Sequence, residues 1–143
     1  MAPITKNGIF TIAAAVLIAC SAPAASPRAD HPILGAWILS AANSSCMEDD
    51  VYGSDGRRHS TSAQEISASE YSISESPSEK GYYKMVDVVV RSNGLPDCTG
   101  SVTPVGDTST VYLRFSVGNT EFLLCTQELL SSCFVRARRA PTI

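Results

Sequence analysis

How briefly this chain stays apolar limits its fold more than any other feature. From residue 33 to residue 138 the apolar residues come in short runs, each broken by Gly, Pro, Asn, Asp or Ser, and no helical heptad pattern is sustained. Such punctuation leaves room for strands joined by short turns, so the chain reads as all-β. The first run is ILGAWILS, residues 33–40, with Ile33, Gly35, Trp37 and Leu39 on one face. In DDVYGSDGRRHSTS, the turn former Ser54-Asp55-Gly56 separates two short segments. EISASEYSIS alternates at Ile66 and Ala68, then changes parity to Tyr71 and Ile73, which predicts a bulge or bend. The densest run, YYKMVDVVVR at 82–91, reads as a strand buried on both faces at its β-branched end.

Downstream, SNGLPDCTG is a compact loop. Val111, Leu113 and Phe115 share a face, and VGNT turns the chain back into EFLLCT. QELLSS is either one helical turn or a wide loop before the last strand, CFVRAR, at 133–138. About seven or eight strands in simple order suit a small antiparallel up-and-down barrel, with a β-sandwich as the alternative. Closure also removes the exposed edges that a small sheet would present.

The amino terminus supplies an address. Lys6 precedes an apolar stretch, Ile9 to Ala19, that is too short for a membrane span of roughly 20 residues but suits a secretory signal. Leu17-Ile18-Ala19-Cys20 resembles the bacterial lipobox, in which a small residue precedes a cysteine whose thiol is acylated. That resemblance implies lipid attachment at Cys20, and Ser21 after it implies the outer membrane, facing the periplasm. Ordinary secretion, with cleavage near Ala22-Pro23-Ala24, is the alternative. The expected organisation is a signal peptide over 1–19, a lipid-anchored flexible tether over 20–31, a β-barrel domain over 32–139 and a tail over 140–143. The tether is rich in Ala, Pro and Ser.

About 120 residues remain after the signal, enough for one domain with one core. They hold Cys46, Cys98, Cys125 and Cys133, an even count that in an exported chain implies two disulfides. Closure of a barrel would bring Cys46 to Cys133 and leave Cys98 with Cys125. A hairpin centred near Leu129 would instead join Cys125 to Cys133 and leave Cys46 with Cys98. The second pairing needs no assumption about closure and is preferred.

Gly35-Ala36-Trp37 on the first strand resembles the first-strand motif of lipocalins and smaller lipocalin-like bacterial proteins. The resemblance implies a barrel sealed at one end by an arginine stacked over the tryptophan, and Arg136 and Arg138 are the positions that would supply it. The chain departs from that family in being short and in lacking a helix after the last strand. Together with its bulky aromatics, this predicts a packed interior. SDGRRHSTS, VRSNGLPDCTG, TPVGDTSTVYLRF and SCFVRARR also resemble stretches of small exported bacterial proteins, but no function comes with that likeness.

Chemistry is sparse. With 11 Lys and Arg against 14 Asp and Glu, the chain lacks the positive excess of nucleic-acid-binding domains. Arg136 to Arg139 read as a solvated terminal cluster. His59 adjoins Ser60, but neighbours on a strand face opposite sides, so they do not form a catalytic pair. Glu48-Asp49-Asp50 lacks EF-hand spacing and reads as a solvated acidic turn. With no C-x-x-C pair, no metal site is expected. Neither a cofactor nor an enzymatic activity is expected either. The expectation is a non-enzymatic binding module of the bacterial envelope, of protein-binding inhibitor or immunity type. Its partner-binding candidates are Ser92, Asn93, Gly94, Leu95, Pro96 and Asp97. The alternative is a lipocalin-like carrier of a small apolar ligand.

Overall fold

The computed structural model describes residues 25–142. Signal residues 1–19 and Cys20 lie outside the described residues. The short runs become eight strands: β1 (Gly35–Ala41), β2 (Met47–Tyr52), β3 (Arg57–Ser62), β4 (Glu65–Ile73), β5 (Tyr83–Ser92), β6 (Thr108–Phe115), β7 (Glu121–Cys125) and β8 (Cys133–Arg139). QELLSS forms a 3₁₀ turn, Leu130–Ser132, before β8.

Each strand pairs antiparallel with the next. Eight is an even number, so β8 runs opposite to β1 and the two pair directly, with Trp37 facing Arg139 and Leu39 facing Ala137. The result is a closed barrel in sequence order. Barrel closure is as expected, and so is the preferred disulfide pairing: Cys46–Cys98 and Cys125–Cys133. Cys125 and Cys133 are opposed in the β7–β8 ladder, which makes this bridge a property of the hairpin.

At 66–73 the expected parity change is corrected. Glu65, Ser67, Ser69, Tyr71 and Ile73 all point inward, while Ile66 is exposed. The ladder does slip there, but on the partner strand: Ala68 pairs with Arg91 and Ser69 with Val89. Val90 is therefore the extra residue of the bulge, and it is exposed instead of buried on both faces. The tether also ends earlier than expected. Pro27 and His31 are buried, and His31 bridges Ile33 and Ser74: its Nδ1 accepts from the Ile33 N–H and its Nε2 lies 3.1 Å from the Ser74 carbonyl. Burial lowers the pKa of His31, which keeps the ring neutral.

One end of the barrel is packed solid. Trp37 meets Phe122 edge to face at 4.6 Å between centroids, and Phe115 joins both rings. Ile33, Leu113 and Ala137 fill the remaining space. The opposite end is the mouth, where the Cys46–Cys98 bridge joins the β1–β2 loop to the β5–β6 loop.

Candidate functional site

Parity decides which arginine closes the barrel. On β8 the inward residues are Val135, Ala137 and Arg139, so Arg136 and Arg138 face outward. The arginine over Trp37 is accordingly Arg139, 4.0 Å from the ring centroid, and not Arg136 or Arg138. Arg136 instead pairs on the surface with Glu121 at 2.6 Å. Arg139 also donates to the carbonyls of Pro32, Leu34 and Asn119, tying the entry segment and the β6–β7 turn to the closed end. Gly35 makes room for it. Its φ is +106°, and a Cβ there would lie 3.0 Å from Arg139 Nη1. Gly35, Trp37 and Arg139 thus form one plug, whose role is architectural.

The rest of the interior is divided lengthwise. β1 and β6–β8 turn Leu39, Val111, Leu113, Leu124 and Val135 inward. β2–β4 turn in Asp50, Ser60, Ser62, Glu65, Ser67 and Ser69, joined by Asp87 from β5. Arg58, inward from β3, organises this polar side. Its Nη1 donates to Asp50 Oδ2 at 3.2 Å, and its Nη2 donates to Asp87 Oδ1 at 3.3 Å and Ser69 Oγ at 3.4 Å. Its Nε lies 3.2 Å from Asp87 Oδ2. Tyr52 Oη donates to Asp50 Oδ2 at 3.1 Å.

One guanidinium therefore serves two carboxylates that are 0% and 4% exposed. Burial works against the charge of Arg58, but Asp50 and its other acidic neighbours outweigh that and raise its pKa above the ordinary value. The carboxylates are not fully served. Asp50 Oδ1 and Asp87 Oδ2 are buried with no hydrogen-bond partner among the described residues, and Arg58 Nε likewise has none. Burial also raises the pKa of Asp87, and burial followed by the neighbouring Asp50 raises that of Glu48.

Above this network the mouth opens into a cavity of about 460 Å³. Its apolar wall is Leu39, Met85, Val111, Leu124 and Val135, its polar wall Glu48, Tyr52, Arg58, Ser62 and Asp87, and the Cys46–Cys98 bridge lies at its rim. The packed interior expected from the aromatic content holds only at the closed end. Phe115 and Phe122 collect around Trp37, and the mouth is left to a polar wall facing the aliphatics.

The partner-binding candidates lie beside this mouth. Ser92 ends β5, and its Oγ accepts from the Gly94 N–H. Asn93 donates to the Gln64 carbonyl and accepts from the Leu95 N–H, while the Gln64 N–H bonds to the Pro96 carbonyl. Asp97 lines the cavity, and its Oδ1 accepts from Thr99 and from the Ser101 N–H. Burial acts in the other direction, but these bonds outweigh it and lower the Asp97 pKa. Leu95 is left exposed on a braced loop.

The acidic run at 48–50 is corrected too. It is a strand whose Asp50 is fully buried and whose Glu48 lines the cavity, not a solvated turn. Sequence reasoning passed over Asp50, Arg58 and Asp87 as site residues. A signal for the first two was available: Tyr52 and Arg58 are cross-strand partners flanking the Ser54-Asp55-Gly56 turn. Assigning Tyr52 to the interior therefore also assigns Arg58 and Asp50.

No protein-family model, curated protein or solved structure matches this chain. Its class rests on its own geometry: a small, closed, eight-stranded antiparallel barrel with two disulfides, consistent with a lipocalin-like fold.

Proposed function

We propose that this protein is a non-enzymatic binding module of the bacterial cell envelope, and that its barrel mouth takes a small ligand. The cavity of about 460 Å³ carries this reading, since ligand sites generally measure about 300–1,000 Å³ with apolar walls and a few fixed polar groups. The plug of Gly35, Trp37 and Arg139 supports lipocalin-like kinship. The signal layout and Cys20 support export as an outer-membrane lipoprotein, and two disulfides suit an oxidising compartment. The test is titration with N-phenylnaphthylamine, a neutral probe that brightens in apolar surroundings. The expected result is saturable binding at one probe per chain, lost in Val135→Phe while Trp37 emission still reports a folded barrel. Absence of saturable binding by the parent protein overturns the reading.

A second reading, a protein-binding inhibitor or immunity-type protein, is favoured by the braced loop with exposed Leu95 beside the Cys46–Cys98 bridge. A rigid loop loses little entropy on docking. Under this reading, crosslinking in the native envelope captures one dominant protein partner, and Leu95→Asp abolishes the capture.

A further inference from the structure

The chemistry of the cavity narrows the ligand. This step rests on the small-ligand reading above. Every nitrogen of the Arg58 guanidinium already faces Asp50, Asp87 or Ser69. A ligand carboxylate or phosphate thus has to compete with these buried acids for it, and meets Glu48 and Asp87 on the same wall. Acceptors, by contrast, are in surplus. Asp87 is 4% exposed and lines the cavity, and its Oδ2, 3.2 Å from Arg58 Nε, makes an ion pair there but no hydrogen bond. Glu48 lines the same wall, adding a carboxylate that Arg58 does not bond. One buried cation among three carboxylates leaves the wall short of positive charge, and a buried acceptor without a donor is costly.

We propose that the mouth binds a small amphipathic amine, its ammonium bonded by Glu48 and Asp87 and its hydrocarbon part laid on Leu39, Val111, Leu124 and Val135. A bare metal ion fits poorly: among the described residues no three His, Cys, Asp or Glu side chains group closely enough to hold one. The aliphatic wall would also have no role with a metal. An ammonium supplies the missing charge and up to three donors on a compact head.

The test displaces N-phenylnaphthylamine from the intact domain at neutral pH with octylamine, octanoate or octanol, which share a chain and differ in the head. Octylamine is expected to compete about tenfold or more better than octanol, the ratio that one charge-assisted hydrogen bond corresponds to. Octanoate is expected to compete worst. Glu48→Gln is expected to reduce the advantage of octylamine over octanol. Asp87→Asn is the second variant, and Trp37 emission checks its fold. Equal or better competition by octanoate or octanol overturns the inference while leaving small-ligand binding intact. So does an octylamine advantage that survives both substitutions. A parent protein that binds neither probe nor amine overturns both readings.

Discussion

Arg58→Met is the sharpest perturbation of the interior. Methionine nearly matches the length of the arginine stem, so the main loss is the charge and its donors. Asp50 and Asp87 would then be two buried carboxylates with no cation between them. Removing one partner of a buried pair typically costs about 3–5 kcal/mol, a large share of the roughly 5–15 kcal/mol that holds a domain together. The pH dependence follows from the sign of the shift. Without Arg58, burial raises the folded-state pKa of Asp87 further above the unfolded value of about 3.9. Between those two values the folded protein binds more protons than the unfolded chain. The variant should therefore gain stability relative to the parent as pH falls from neutral through the raised folded pKa, and level off below about 3.9. The opposite trend from His31 is common to both proteins and cancels in the difference. Urea unfolding followed by Trp37 emission, from pH 7.5 down to pH 4, measures this. Adding Asp50→Asn and Asp87→Asn to the variant should recover most of the loss at neutral pH. A variant within about 1 kcal/mol of the parent, with no difference in slope against pH, would refute the claim that Arg58 neutralises a buried acidic wall.

Trp37→Ala should cost about 3–5 kcal/mol as a large-to-small change at a fully buried site. Arg139→Gln should red-shift Trp37 emission and increase its quenching by acrylamide, whereas Arg136→Gln and Arg138→Gln, on outward positions, should change stability by less than about 0.5 kcal/mol. Replacing Cys46 and Cys98 together with Ser opens a bridge spanning 52 residues and should cost about 4 kcal/mol by loop entropy; opening Cys125–Cys133, spanning 8, should cost about 2.5 kcal/mol, both read by urea unfolding. His31 is held neutral with a lowered pKa, so its contribution is complete above the ordinary value of 6.5 and declines as pH falls below it; the stability gap between the parent and His31→Gln should narrow over that range. Cys20→Ser should abolish palmitate labelling and membrane fractionation, and persistence of both would exclude the lipid anchor.

Strand order, closure and disulfide pairing were legible because each depends on chain-local signals. Turn formers such as Ser54-Asp55-Gly56 mark the hairpins, an even strand number lets β1 meet β8, and the eight-residue separation of Cys125 and Cys133 fits one hairpin. The interior of β2–β4 was hidden because alternation alone does not say which face is inside. Elsewhere the apolar face goes in, but here Val51 and Ile66 are exposed while Asp50, Ser60, Ser62 and Ser67 are buried. A pattern search that equates apolar with inward inverts these strands. The same inversion produced the apparent parity change at Ile66 and Tyr71. What holds polar residues inside is a tertiary fact: Arg58 meets Asp87 across 29 residues of sequence, and neither side of that pair marks the other. The closing arginine illustrates a milder version of the problem. RARR offers three arginines within four residues, and only the register placing Arg139 opposite Trp37 selects among them. A barrel of eight strands encloses just enough space either to fill with side chains or to hold one small ligand. Here the plug at Trp37 takes the first course at one end, and the unbalanced carboxylates of β2 and β5 leave the second open at the other.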